Sequence, residues 1–167
     1  MEKIYNIKGQ KNIVIRDAVI EDYVAIEALM EDLHSKHVEE RGDSFIPIKC
    51  LYTVEEYKKL INNLEYIVIV AVDENESVIG VCITSIRGKS NMVSKKIAYI
   101  EALCVAKNMQ RKFIGKRLFE ENEKRIRTMK ISRIDLMVWN FNKDAISFYQ
   151  SIGMKVQRCI LEKELIN

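Results

Sequence analysis

Little interrupts this chain. Its 167 residues hold one proline and six glycines, too few for a Pro- or Gly-rich linker, and no repeat or low-complexity segment divides it. One domain spanning residues 1–167 is the expectation for that length. No apolar run approaches the roughly 18 residues of a membrane span. The opening stretch, MEKIYNIKGQKN, is charged and lacks the apolar core of a signal peptide, so a cytoplasmic protein with no membrane partner is expected. Metal ligands are scarce as well. Cys50, Cys82, Cys104 and Cys159 are far apart, there is no CxxC, and histidine occurs twice. No metal-site pattern follows. Cys82, Cys104 and Cys159 lie in strand-like runs and read as buried thiols in a reducing compartment.

Charge of one sign is also sparse, the formal net charge being +3. The basic concentration runs from Lys107, Arg111, Lys112, Lys116 and Arg117 on to Lys124, Arg125, Arg127 and Lys130. Glu120, Glu121 and Glu123 break up its second half, which argues against a nucleic-acid surface. The first half, Lys107 to Arg117, calls for another explanation.

What is present is a clear succession of periodic segments. Ile13–Arg16 reads as a strand and Tyr23–Val38 as a helix, with Ile26, Leu29, Met30 and Leu33 at helical spacing. Glu39 to Lys49 reads as a loop. Thr53 with Glu56 forms a capping box for a second helix whose Tyr57, Leu60 and Ile61 face inward. Tyr66–Val72 and Val78–Ile86 are β-rich runs joined by the turn Asp73–Glu76, and Arg87–Lys95 is a polar loop. Ile97–Val105 is a long strand, Ile114–Met129 a helix, and Ile134–Val138 a strand. A short helix opened by Asn142 or Asn140 follows, then a last strand from Met154 to Leu161. The crossover between Val105 and Ile134 makes its flanking strands parallel neighbours, the hairpin makes the earlier ones antiparallel. The class is mixed α/β.

The chemistry-bearing stretch is WNFNKDAISFYQSIGM, residues 139–154. Ala145, Ile146, Phe148 and Tyr149 share a helix face, and Gly153 allows the turn that follows. Read from the residues alone, this is either a packing unit or a phenol delivered to a site. The spacing of Asn142, Ala145, Tyr149, Gly153 and Met154 resembles the C-terminal motif of the GCN5-related N-acetyltransferases (GNAT), NxxAxxxYxxxGF. The order of the remaining elements resembles that family over nearly the whole chain.

The resemblance implies a twisted mixed sheet of six or seven strands flanked by about four helices, the two central parallel strands pairing only over their first halves. It implies an N-acetyltransferase that moves an acetyl group from acetyl-CoA directly to a primary amine of a small molecule or protein. The alternative is a non-catalytic acyl-CoA-binding or protein-interaction module of the same fold. The family's pyrophosphate loop, Q/RxxGxG/A, maps onto Gln110, Phe113 and Gly115. Phe113 departs from the pattern: the resemblance allows the cradle to form if that position takes ordinary helical geometry, and otherwise leaves open weak cofactor affinity or the non-catalytic module. From the residues themselves, free N–H groups at the start of the 114–129 helix suit a phosphate, with Gly115 allowing close approach and Arg111, Lys112 and Lys116 adding charge. Ile114 contributes backbone there.

Glu101 interrupts an apolar strand. It reads either as a functional carboxylate or as a surface residue paired with a nearby Lys. The resemblance implies Glu101 as base, Tyr149 as acid towards the cofactor sulfur, the backbone of Leu103, Cys104 and Val105 as the carbonyl contact, and Asn142 as a further cofactor contact. Trp139 lies at a strand end and reads as packing or cleft lining. The acceptor is expected to enter past residues 33–45, so His37, Glu40 and Arg41 join Glu101 and Trp139 as candidate substrate contacts. Paired His34 and His37 also read as plain polar surface. A homodimer is compatible with this reading.

Overall fold

A computed structural model describes residues 3–7, 10–88 and 96–165. The chain divides into two compact units, Met1–Met137 and Val138–Asn167. The first contains β1 (Lys3–Ile7), β2 (Gln10–Asp17), α1 (Tyr23–Glu40), α2 (Val54–Ile61), β3 (Tyr66–Val72), β4 (Val78–Gly88), β5 (Lys96–Val105), α3 (Ile114–Thr128) and β6 (Ile134–Leu136). The second contains α4 (Lys143–Ser151).

The strands form one sheet in sequence order, β1 to β6. Neighbours are antiparallel except β5 and β6, which run parallel. That pairing covers only Ala98–Ile100 of β5, so the strands separate beyond their first halves, as expected. The hairpin at Asp73–Glu76 is also present. Asp73 N–H donates to Ser77 O and Asp73 Oδ1 accepts from the N–H groups of Asn75 and Ser77. The β1–β2 hairpin was not expected, because its charged sequence carries no clean alternation.

Each face of the sheet has its own helical cover. Val68, Val70 and Val72 of β3, Val81 and Ile83 of β4, and Ala102 and Cys104 of β5 pack with Ile26, Leu29 and Met30 of α1 and Tyr57 and Leu60 of α2. Each fully buried aliphatic side chain in such a core contributes roughly 1.5–3 kcal/mol. Alternation sends Gly80 to the opposite face, where a Cβ would lie 3.0 Å from both Leu118 Cδ1 and Cys104 O. Glycine therefore lets α3 sit close on β4 and fixes the start of that helix beside the end of β5. The entry to α1 is tied by Arg16, whose guanidinium donates to both oxygens of the buried Asp22 at 2.7 and 2.8 Å. Burial pushes the Asp22 carboxyl up, but the Arg16 hydrogen bond, the Val19 N–H and the Arg16 charge together outweigh it and the net shift is down.

The last strand expected at Met154–Leu161 does not form. Residues 154–165 have no regular structure, and Val156, Ile160 and Leu161 are exposed. Their alternation is strand-like, but among the described residues no strand pairs with them. Cys159 is consequently exposed rather than buried, whereas Cys82 and Cys104 are buried and their thiols are pushed up to about 12, chiefly by burial.

Candidate active site

Glu101 owes its position to a β-bulge. On β4–β5, Ile83 faces Ala102 and Thr84 faces Ile100, so Glu101 is an extra residue with no partner opposite. A bulge bends the strand and re-aims the side chain it carries. Alternation puts Val81, Ile83, Ser85 and Arg87 on one face of β4, the face covered by α1 and α2, and Glu101 meets the last two there. Its Oε1 accepts from Ser85 Oγ in a short contact and from Arg87 Nη2 at 2.7 Å. The carboxylate is about a quarter exposed. The Lys partner expected from the sequence is thus an arginine, and Arg87 lies in β4 rather than in a loop. Residues 89–95 of that expected loop lie outside the described residues.

Tyr52 joins this neighbourhood from the α1–α2 connection. Its N–H donates to Glu27 Oε1 and its carbonyl accepts from Tyr23 Oη at 2.7 Å, which fixes the residue at the edge of the core. Burial, followed by the negative charge of Glu101, pushes the Tyr52 phenol up. Ser85, Arg87 and Tyr52 were all missed from the sequence. Partial signals were present: a Ser and an Arg two apart at the end of an apolar strand, and an aromatic just before a capping box.

The backbone past the bulge is also suited to ligand contact. Because β6 pairing stops at Ile100, residues 102–105 have no strand partner on that side among the described residues, a setting in which backbone N–H groups can meet a carbonyl or an oxyanion. Leu103 and Val105 are half-buried and Cys104 is buried, its Sγ 4.0 Å from Met30 Sδ. Cys104 can therefore offer only backbone. Gln110 is exposed, but its side chain is committed to the backbone, donating from Nε2 to Val105 O at 3.1 Å, and so clamps the loop to the strand end.

That loop then turns sharply. Arg111 and Phe113 both have positive φ, 62° and 61°. The condition of ordinary helical geometry at Phe113 is not met: the residue takes the left-handed conformation that glycine adopts without cost, at about 1–2 kcal/mol for an L side chain. Its ring is 66% exposed, so packing does not select it. α3 starts there with no side-chain cap and no acidic residue in its first turn. Arg117 N–H closes the first turn onto Phe113 O, leaving the N–H groups of Ile114, Gly115 and Lys116 outside the intrahelical ladder. Ile114 buries its side chain and offers only backbone. Lys112 contacts Met109 Sδ at 3.5 Å, and the exposed Lys116 stands 3.9 Å from Glu120. Uncommitted helix-start donors amid cations are what a polyanionic group such as a pyrophosphate requires.

In the second unit, Asn142 caps α4. Its Oδ1 accepts from Ala145 N–H at 3.3 Å. Trp139 stacks on Phe141 with centroids 6.2 Å apart, a packing role. Tyr149 is half-buried and meets Phe148 edge-on. Gly153, at φ 92°, closes the helix.

The proposed acceptor contacts on α1 have internal work. His37 stacks on Phe45 at 5.2 Å while His34 meets the same ring edge-on, and His34 Nε2 pairs with Ile46 O. Arg41 donates to both carboxylate oxygens of Asp43 and to Ser44 Oγ. These bonds fold residues 41–46 back on the helix end. Glu40 is exposed. No group of three metal-ligating side chains occurs among the described residues.

The bulged carboxylate and the cation-rich helix start lie on one mixed sheet and the connection that leaves it, and comparison with known proteins places the chain in a family. The model of the acetyltransferase (GNAT) family matches residues 26–154, and the chain belongs to that family. A solved mutant form of the BH1408 protein of Bacillus halodurans is similar at 29% identity and TM-score 0.87, over 91% of this chain and 99% of that one. An aminoglycoside acetyltransferase, meta-AAC0020, from an uncultured soil metagenomic sample, solved with sisomicin, shares the fold at 21% identity and TM-score 0.66 over 93% and 96% of the two chains. Aminoglycoside 6'-N-acetyltransferase AAC(6')-Ih of Acinetobacter baumannii does so at 16% and 0.68, over 93% and 99%. A search of curated proteins returns no significant match.

Proposed function

We propose that this acetyltransferase uses acetyl-CoA and acetylates a primary amine of a small molecule or protein in the cytoplasm. The observation that carries the reading is the connection after β5: the strand that presents the bulged Glu101 leads, through a short loop that Gln110 ties to its end, into the uncapped, cation-lined start of α3. Acetyl-CoA, when bound, supplies the acetyl group as an activated thioester. Gly115 and the neighbouring N–H groups, with Arg111, Lys112 and Lys116, hold its pyrophosphate. Backbone N–H groups near Leu103–Val105 stabilise negative charge on the carbonyl oxygen. Glu101, directly or through a water, takes the proton the attacking amine must lose. Tyr149 gives a proton to the departing sulfur, so that the products are an amide and a free thiol. The Tyr149 role is supported by the motif match rather than by geometry.

A screen of primary amines with acetyl-CoA, read by thiol release, tests the reading. Acceptor-dependent release that falls at least tenfold in Glu101→Gln and in Tyr149→Phe, with acetyl-CoA affinity retained, is the expected result. Binding of acetyl-CoA without turnover across the panel would favour the non-catalytic module instead. The left-handed conformation at Phe113 weakens that alternative, since the loop takes the backbone shape of a glycine despite the substitution.

A further inference from the structure

The surroundings of Glu101 are arranged about one of its two oxygens. Oε1 accepts both Ser85 Oγ and Arg87 Nη2, while Oε2 has no hydrogen-bond partner among the described residues. Arg87 is itself held at three points. Its Nη2 meets Glu101 at 2.7 Å, its Nε donates to Ser85 Oγ at 3.0 Å, and its guanidinium carbon lies 3.6 Å above the Tyr99 ring centroid. Ser85 faces Tyr99 across the ladder and Arg87 follows two residues on, so all three reach the same face as the bulge. A guanidinium fixed by ring stacking and two directed bonds is pre-organised in a way an ammonium is not. A bulged side chain, by contrast, has no opposite neighbour to hold it.

We propose that Arg87 is the positioning residue for Glu101, pinning Oε1 with Ser85 so that Oε2 is turned to a cationic acceptor amine. This deepens the acetyl-transfer reading and rests on it for the acceptor. Arg87 does not touch the reacting atoms; it acts through the carboxylate. An opposite role is physically conceivable for the same contact, a guanidinium occupying the place of the amine until the acceptor displaces it, and the two roles differ in sign.

The test is a double-mutant cycle on Arg87→Ala and Glu101→Gln, using the best amine of the screen. Arg87→Ala is expected to lower kcat/KM for that amine roughly tenfold, the scale of one charge-assisted bond, with KM for acetyl-CoA changed less than twofold. In the Glu101→Gln background the same substitution should change kcat/KM less than twofold, because a residue acting through Glu101 has nothing left to position. Arg87→Lys should recover only part of the loss. A fall in acceptor KM in Arg87→Ala, or full additivity with Glu101→Gln, would overturn the proposal. A second readout needs no turnover. In protein labelled with 15N-arginine, the Arg87 Nη2–H signal, assigned by its loss in Arg87→Lys, should be protected from exchange in the wild type. Glu101→Gln should expose it, while added n-butylammonium should leave it protected. Release by n-butylammonium would mean displacement and reject positioning. Silence of every amine in the screen would count against acetyl transfer, and the NMR result would still decide the role of Arg87.

Discussion

The starts of α2 and α3 answer the same physical problem in opposite ways. At α2, Thr53 Oγ1 accepts from Glu56 N–H and Glu56 Oε2 accepts from Thr53 N–H, and Glu55 and Glu56 place negative charge in the first turn. At α3 there is no cap, the first turn has no acid, and the residue before it is a phenylalanine at positive φ. α4 follows α2, with Asn142 as cap and Asp144 in its first turn. α2 and α4 thus satisfy their own N-termini with side chains; α1, which has neither side-chain cap nor first-turn acid, continues from a 3-10 turn at Ile20–Asp22; α3 starts from a residue at positive φ and adds cations where the dipole disfavours them. A helix start that forgoes cap, charge and unstrained backbone together gives up stability, and the proposed pyrophosphate contact supplies a reason for it.

The largest expected effect comes from breaking that contrast by charge. In a Lys112→Glu/Lys116→Glu variant, acidic side chains suit the helix start, so the melting temperature should hold or rise slightly. Acetyl-CoA affinity should nevertheless fall about 10- to 100-fold, as expected for losing two charge-assisted contacts, and calorimetric titration would read it. Unchanged affinity would mean that the phosphates lie elsewhere. Thr53→Ala is the converse experiment. It should cost about 1 kcal/mol in denaturant unfolding and leave the acetyl-CoA affinity unaltered. Asn142→Ala should cost a similar amount.

Phe113→Gly tests whether the strain at α3 is incidental. Relieving an L residue at positive φ should offset the greater unfolded-state entropy of glycine, for a net gain of about 0.5–1 kcal/mol. Affinity for acetyl-CoA should be unchanged or higher. If affinity dropped instead, the exposed ring itself would be a cofactor contact, and the departure from the family motif would be an adaptation.

These helix starts also mark where sequence reading succeeds. The capping box, the Asp73 turn and the Asn142 cap depend on residues within four positions of one another, so their chemistry was legible. The bulge at Glu101 was not, because it is a mismatch in counting between two strands and neither strand carries it alone. Arg87 was read as loop for the same reason: its task is defined by a partner fourteen residues away. Phe113 misled differently. Local sterics oppose its observed conformation, so no signal within its own stretch of sequence announces it. The last strand failed in the other direction, since alternation was present at Met154–Leu161 but no edge took it up.

The smallest expected effect uses pH to separate the two kinds of helix start. The Glu56 carboxyl is held below its ordinary value, first by the hydrogen bond from Thr53 N–H and then by the Thr53 hydroxyl. A group whose folded value is depressed contributes stability above its unfolded value and loses it as pH falls through the folded one. The capping box should therefore help fully at neutral pH and fade on acidification through the glutamate range. Glu56→Gln should remove that part of the acid dependence, so that wild-type and variant unfolding curves converge at low pH and separate near neutrality. No equivalent exists at α3, whose first turn has no acid to titrate. An acid dependence of stability unchanged by Glu56→Gln would show that the box is formed but energetically idle, and would reduce the contrast between α2 and α3 to one of ligand binding alone.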